Sequence, residues 1–369
     1  MIMSNYPNDN NGDAGIAPNC GSGRKHGGAE AVLELIDTGT LDEAVTDWYA
    51  FLGFSDFHRV TGYLADKLLA MPEAPAQVKR HVRIQKAYQA HKQGSLIGAA
   101  KELSARLEAN KIPHAFLKGV VLAGEIYGAG ERCSNDVDIL ALPKDIGKIS
   151  DILKSLGYVQ GLYRDGQIKP FDRLEIVKRR MNRGETAPFV RLNDDPLAPF
   201  VEVDINFSLD WLPTDADSLT ETFLCNAVIS KNGLRALDTE YTLMYLCLHL
   251  YKEAVVYSMV KRLKDIELYK YVDIFKMLKI INIKRFWHFA DKHGLRKQCE
   301  YAIWQTNQLF PSSDFWLKEP SGINLVIDPE NGGREYVWDM PFLERVFDTN
   351  RLRQLKRCDC DCGEAGDEE

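Results

Sequence analysis

The sequence has no run of apolar residues that approaches the roughly 18 residues a membrane helix needs. Its opening residues, MIMSNYPNDNNGDAG, contain neither the basic block nor the apolar block of a signal peptide. We therefore expect a cytoplasmic protein with no membrane partner.

The cysteines are few, and their spacing shows no regular pattern. The chain has eight cysteines, and only the last three, in CDCDC, lie close together. Their scatter does not fit a secreted disulfide scaffold, and alternation with aspartate lacks the spacing of a closed zinc site. We expect reduced thiols and assign no function to the tail.

An excess of positive charge is also missing. Lysine and arginine total 46 against 53 aspartate and glutamate, which gives a net charge of -7. Composition therefore offers no global electrostatic reason to bind nucleic acid. The usual nucleotide-binding signatures are absent too, because GAGERC lacks the third glycine of a dinucleotide fingerprint and no G-x-x-x-x-G-K-[ST] motif occurs.

Composition and periodicity divide the chain into segments. We expect a disordered leader over residues 1–28, a helical region over 29–110, a mixed strand and helix region over 111–210, a second helical region over 211–312, an unassigned segment over 313–357 and an acidic, cysteine-containing tail over 358–369.

Local signals refine the first two ordered regions. Ser55 is expected to cap a helix in the N-terminal region. The mixed region reads as strand, helix, strand, helix, followed by a hairpin of TAPFVRL and APFVEVDINFSL around the turn signal NDDP. We expect the sheet to end near Leu209.

Two aspartates stand one residue apart in RCSNDVDIL, where the chain turns apolar. Because side chains alternate along a strand, Asp136 and Asp138 share one face. Carboxylates this close disfavour each other's ionisation unless a cation lies between them, and Mg²⁺ prefers such oxygen ligands. The alternative is a strand end whose aspartates face water or cap the next turn.

Lys118 and Gly119 lie where the strand HAFL turns into a helix. A helix N-terminus offers free N–H groups to a phosphate, Gly119 permits close backbone approach, and Lys118 adds a charge. The alternative is a tight turn with a surface lysine. Arg132 is near enough to Asp136 to contact a carboxylate or a phosphate, or only to neutralise the acids.

A third acidic position follows in VEVDINF, where Glu202, Asp204 and Asn206 share one strand face. A metal pair needs such a carboxylate from a neighbouring strand. The alternative is the solvent face of an edge strand.

Other charged residues are weaker candidates. His249 lies on an apolar helical face and reads as a core histidine rather than a catalytic one. Lys264, Asp265 and Asp273 are expected on a charged helix surface. The basic residues that precede the hairpin are expected on a solvated helix face.

The motif K-G, then a short helix ending in tyrosine, then R-x-x-x-D-x-D before apolar residues resembles the polymerase-β-type nucleotidyltransferase superfamily. Within it, the chain looks like a branch of uncharacterised bacterial nucleotidyltransferases, over roughly residues 45 to 312. The resemblance implies an α+β fold, with a small mixed β-sheet as the catalytic core over 111–210 and helical regions on either side.

The resemblance also implies a reaction: transfer of a nucleoside monophosphate from a nucleoside triphosphate, expected to be ATP, with Mg²⁺ or Mn²⁺ and release of pyrophosphate. Asp136 and Asp138 would bind the metals, and Asp204 would be the third ligand and candidate base. Lys118, Gly119 and Arg132 would meet the nucleotide.

Two departures from the family pattern accompany this assignment. Val120 replaces a serine, and Asn206 stands where the branch often has histidine. Glu202 is a second candidate for the third acid if the register differs by two. A catalytically silent nucleotide-binding or regulatory protein on the same fold is therefore the alternative function.

The residues do not identify the acceptor. An acidic protein without a broad basic surface favours a small-molecule, peptide or protein acceptor over nucleic acid.

Overall fold

We describe a computed structural model of the chain over residues 27–42, 44–209, 217–313, 315, 317–348 and 350–358, without the side chains of 181–183, 217 and 218. The expected disordered leader and acidic tail lie outside these residues, apart from 27, 28 and 358.

The N-terminal region is helical. Its elements are α1 (Ala29–Asp37), α2 (Trp48–Phe57), α3 (Thr61–Ala70) and α4 (Ala76–Ala109). The expected Ser55 cap is wrong, because Ser55 lies inside α2 and its hydroxyl donates to the Leu52 carbonyl at 3.0 Å. Asp47 caps that helix instead, since its carboxylate accepts the N–H groups of Tyr49 and Ala50.

The core is an eight-stranded mixed sheet. Its strands are β1 (His114–Leu117), β2 (Val137–Ala141), β3 (Val159–Arg164), β4 (Gln167–Pro170), β5 (Phe189–Leu192), β6 (Phe200–Asn206), β7 (Ala227–Ile229) and β8 (Arg235–Leu237). Their order is β4-β3-β5-β6-β2-β1-β8-β7. The pairs β2–β6 and β1–β8 are parallel, and the other pairs are antiparallel.

The expected α+β architecture, a mixed sheet flanked by helices, is confirmed. The hairpin is also confirmed, because β5 and β6 run antiparallel with Phe189 opposite Val203. The expected end of the sheet near Leu209 is wrong, since β7 and β8 extend it beyond β1. Each of these strands has three residues, too few to give a readable alternation.

Helices follow the first strands of the sheet. They are α5 (Lys118–Glu125), α6 (Ile146–Ser155) and α7 (Arg173–Arg183). The short helix α5 is broken at Ala123 and Gly124, and Gly124 has a φ of 88°. Its last residue is Glu125.

The rest of the described chain is mainly helical. Its helices are α8 (Asp217–Cys225), α9 (Thr239–Val255), α10 (Tyr257–Val260), α11 (Leu268–Leu278), α12 (Ile283–Lys292), α13 (Arg296–Leu309) and α14 (Phe342–Phe347). The segment that sequence left unassigned forms a second sheet of β9 (Leu325–Asp328), β10 (Arg334–Trp338) and β11 (Leu355–Arg357). No helix among the described residues is both long and apolar enough to traverse a bilayer.

The main sheet is buried on both faces. Val137 and Ile139 of β2 and Ile205 of β6 pack in one apolar cluster with residues of α4 and α6. Leu117 and Leu140 belong to a second cluster, which contains residues of α9, α11 and α13. Because side chains alternate along β2, Asp138 shares the face of Leu140. The acids thus lie on the side of the sheet covered by the C-terminal helices.

The charged helix surface expected around α11 is wrong for its two aspartates. Asp265 is 2% and Asp273 is 1% exposed. Asp265 accepts two bonds of 2.6 Å from Arg351, which is itself fully buried. Asp273 pairs with Arg132. Both carboxylates are buried because each has an arginine partner distant in sequence.

Candidate active site

Strand register brings the predicted acids to one place. In the parallel pair β2–β6, Asp138 is aligned with Asp204, so their backbones lie about 4.8 Å apart. Glu202 lies two positions before Asp204 in β6 and therefore shares its face. Asp136 lies one position before β2, and its charge contributes to the raised pKa of Glu202 and of Asp204, so its carboxylate is near theirs. Four carboxylates consequently lie close together at two adjacent strands.

Lys118 closes this cluster at the start of α5. Its Nζ donates to Asp138 Oδ1 at 2.9 Å and lies 5.8 Å from the centre of the Tyr245 ring on α9. The side-chain amide of Asn206 donates to the same oxygen at 3.3 Å. Burial lowers the pKa of Lys118, but the charges of Asp138, Tyr245 and Asp136 outweigh burial and raise it well above its usual value. Lys118 is thus a charged partner of the acids.

The pKa values of the other three acids are raised, because nearby positive charge does not offset burial and the repulsion between the acids. Burial first, and then the Asp138 charge, raises the pKa of Asp136. Burial and the charges of Asp136 and Asp138 raise the pKa of Glu202 to about 7. The pKa of Asp204 is raised well above its usual value by burial and then by the neighbouring charge of Glu202. These three carboxyl groups therefore keep their protons at pH values at which isolated carboxyl groups would have released them.

The donor set fits a hard divalent cation in its chemistry. Carboxylate oxygens are the ligands that Mg²⁺ prefers, and a cation would relieve the repulsion that raises these pKa values. As the side chains stand, no group of three or more histidine, cysteine, aspartate or glutamate residues in the described part of the chain is placed to hold a metal ion. The Asp138 carboxylate forms an ion pair with Lys118 instead.

Gly119 follows Lys118 and is required by packing. A Cβ there would lie 2.8 Å from the Ser134 Cβ and 3.0 Å from Arg132 Nη1. The turn from β1 into α5 is therefore pressed against the loop that carries Asp136. Lys118 itself has a φ of 45°, a left-handed conformation that non-glycine residues adopt mainly at constrained or functional positions.

Arg132 is directed away from the acids. Its Nε and Nη2 donate to Asp273 at 2.8 to 3.1 Å, and its Nη1 donates to Ser134 at 2.8 Å. Arg132 is 5% exposed. The structure thus places this predicted nucleotide-binding residue in a buried ion pair that fixes the loop beside the site.

His249 lies on α9, one turn beyond Tyr245. Its Nε2 is 3.4 Å from Glu253 Oε2, and the Tyr245 and His249 rings are stacked with centroids 6.3 Å apart. Burial, followed by the charges of Lys118 and Lys270, lowers the pKa of His249 well below its usual value. The His249 imidazole is therefore neutral, and it lies next to Tyr245, the residue whose ring faces Lys118.

Sequence reasoning missed two cations near the acids. Arg59 and Lys92 both lower the pKa of Asp136 through their charges. The Arg59 guanidinium lies 4.5 Å from the Tyr269 ring centre, and Lys92 donates to Asn135 Oδ1 at 2.9 Å. Both come from the N-terminal helical region, where no motif relates them to Asp136. A φ of 60° at Arg59 is visible only in the structure.

A cleft of about 970 Å³ lies elsewhere, between α4 and the β5–β6 turn. It is lined in part by His91, Arg191 and Val201. Val201 points to the sheet face opposite Glu202. The cleft is therefore separate from the acids.

Comparison with known proteins gives a family match. Residues 44–311 match the model of a family described as uncharacterised nucleotidyltransferase. The chain is also similar to a solved structure, an antigenic nucleotidyltransferase-like protein from Paracoccidioides brasiliensis, at 15% identity and a TM-score of 0.34, with 62% of this chain and 94% of that chain covered. This likeness is too distant to bear on function. No curated protein matches the chain.

Proposed function

The chain belongs to the uncharacterised nucleotidyltransferase family, and we propose that it transfers a nucleoside monophosphate from a nucleoside triphosphate to an acceptor, with Mg²⁺ or Mn²⁺ and release of pyrophosphate. The observation that carries the proposal is the alignment of Asp138 with Asp204 on parallel strands. Asp136 and Glu202 carry further carboxylates near this pair, and Lys118 contacts Asp138.

Asp136 and Asp138 would hold the metal, with Asp204 or Glu202 as the third acid. A bound divalent ion would neutralise the charge on the phosphates and help to align the reacting groups. Burial and, after it, the mutual repulsion of these carboxylates raise the pKa of Asp136, Glu202 and Asp204, and this supports the assignment. The same repulsion would favour a cation over an empty site.

The triphosphate would meet the cations that surround the acids. Lys118 has a pKa well above its usual value and is charged at neutral pH, so its ammonium can bind a phosphate oxygen. Arg59 and Lys92 add positive charge on the Asp136 side. ATP is the expected donor, and these contacts would act on its phosphates whatever the base.

Glu202 and Asp204 are the candidates for the group that takes a proton from an acceptor hydroxyl. A general base works best when its pKa is near the operating pH, and the pKa of Glu202 is about 7. Asp204 lies beside Asp138 in register, which suits it to metal binding. A small molecule, a peptide or a protein is the favoured acceptor.

Pyrophosphate release tests the proposal. We expect the purified full chain to release pyrophosphate from a triphosphate with Mg²⁺ and a cell-extract acceptor pool, and Asp138→Asn to reduce the rate at least about 100-fold, because the metal loses a charged ligand. Asp151→Asn is the matched control, since its side chain is 80% exposed on α6. Undiminished release by Asp138→Asn would contradict the proposal.

A catalytically silent nucleotide-binding or regulatory protein is the second candidate. It is favoured by Val120, a buried apolar residue at the family's serine position, and by the donors that Lys118 and Asn206 direct at Asp138. Measurable triphosphate binding without pyrophosphate release from any acceptor pool would select this candidate.

A further inference from the structure

One oxygen of Asp138 carries two donors of this chain. Lys118 Nζ lies at 2.9 Å and Asn206 Nδ2 at 3.3 Å from Oδ1. The pair is well enclosed, because the Lys118 side chain is 16% and the Asp138 side chain 5% exposed. A charge pair this sheltered from water is not weakened as a surface pair would be.

The neighbouring acids differ from Asp138. Among the described residues, Asp136, Glu202 and Asp204 make no ion pair, although the charges of nearby cations partly offset the rise in the pKa of Asp136 and of Glu202. Only the acid at the centre of the predicted metal site is thus neutralised by direct contact.

The position of Lys118 is fixed by its surroundings. Lys118, with its left-handed backbone, is the first residue of α5 and directly follows β1, and Gly119 packs tightly against Ser134. The Tyr245 ring covers the ammonium. The side chain therefore reaches Asp138 from a rigid turn at the place where phosphates are expected.

We propose that Lys118 acts as a built-in counter-ion that keeps divalent metal from Asp138 until a triphosphate takes over its ammonium. The inference rests on the proposed function. Lys118 carries a single positive charge, so a triphosphate that draws the ammonium toward its own oxygens weakens the pairing with the Asp138 carboxylate. Arrival of the triphosphate would therefore release the carboxylate, and metal and nucleotide would each strengthen the binding of the other.

Such coupling is reciprocal, so it can be measured by following only the binding of the metal, with and without nucleotide. The probe is Mn²⁺, whose free concentration is followed by electron paramagnetic resonance with the purified full chain. We expect the wild-type affinity for Mn²⁺ to rise at least about tenfold when the non-hydrolysable α,β-methylene analogue of ATP is added, after correction for the Mn²⁺ that the analogue binds without protein. Binding to Asp138→Asn defines the Mn²⁺ bound elsewhere on the protein.

Substitution of the lysine should remove the competition. We expect Lys118→Met to bind Mn²⁺ without nucleotide at least about tenfold more tightly than wild type, and to gain less from the analogue. Lys118→Arg should behave like wild type because the positive charge is kept. Lys148→Met is the matched control, since Lys148 pairs at 3.4 Å with the buried Asp145 outside the site.

The outcomes separate this inference from the proposed function. If Lys118→Met binds Mn²⁺ no more tightly than wild type, or if the analogue leaves the wild-type Mn²⁺ affinity unchanged, the counter-ion role is overturned while pyrophosphate release can still stand. If no protein binds Mn²⁺ even with the analogue, both proposals fail. If Lys118→Met does not fold, an unchanged wild-type Mn²⁺ affinity in the presence of the analogue would still overturn the counter-ion role.

Discussion

Glu202 offers a test that needs neither substrate nor acceptor. Its pKa is raised from 4.5 to about 7, first by burial and then by the charges of Asp136 and Asp138. Ionised Glu202 therefore destabilises the folded chain. We expect Glu202→Gln, which keeps the shape and removes the charge, to raise the free energy of unfolding at pH 8.

The magnitude follows from linkage between proton binding and folding. A rise from 4.5 to about 7, at about 1.4 kcal/mol per pKa unit, sets an upper limit of about 3 to 4 kcal/mol. The neighbouring acids share this repulsion and readjust their own protonation, so we expect a gain of about 2 kcal/mol.

The sign fixes the pH window. Below pH 4.5 Glu202 is protonated in both the folded and the unfolded chain. Between pH 4.5 and about 7 the unfolded chain releases the proton while the folded chain keeps it, so wild-type stability falls as the pH rises. The advantage of Glu202→Gln should therefore grow across this window and stay constant above it.

Urea unfolding followed by tryptophan fluorescence measures the effect at pH 5 and pH 8 in metal-free buffer. Glu73→Gln, at an exposed position, controls for removal of any glutamate charge. A Glu202→Gln advantage that is absent at pH 8, or that does not grow between the two pH values, would refute the electrostatic account of the site.

Two substitutions test the turn and the loop that frame the acids. Gly119→Ala should lower stability by about 1 to 3 kcal/mol in thermal unfolding, because its Cβ would lie 2.8 Å from the Ser134 Cβ; Gly119→Ala with Ser134→Gly should regain part of this, and no loss in the single variant would contradict the packing. Arg132→Met should cost about 3 to 5 kcal/mol in urea unfolding, because it leaves Asp273 buried without a partner. Adding Asp273→Leu should recover much of that cost, whereas equal stability of Arg132→Met and wild type would contradict it.

Residue alternation made the acidic part of the site predictable. Asp136 with Asp138, and Glu202 with Asp204, share a face in any strand that contains them. The hairpin of β5 and β6 was predictable as well, since its turn signal lies between two apolar runs. Sequence alone did not give the register, which aligns Asp138 with Asp204.

The cations of the site were harder to predict because their partners are distant in sequence. Arg132 resembles a phosphate ligand in the motif, yet its partner Asp273 lies 141 positions away. Lys92 lies in α4 and Arg59 in the turn between α2 and α3, and the sequence around neither residue indicates that it approaches the sheet. The local sequence around a charged residue indicates which face of a helix the residue occupies. It does not indicate which distant part of the chain packs on that face.

The buried pair of Arg351 and Asp265 has a consequence for how this gene can change. Asp265 lies inside the segment that matches the family, and Arg351 lies outside it, 86 positions further on. Recombination that replaced the residues after 311 and removed Arg351 would leave the Asp265 carboxylate buried without its partner. We therefore expect residues 44–311 and the segment that carries Arg351 to be inherited together, although the family model covers only the first of them.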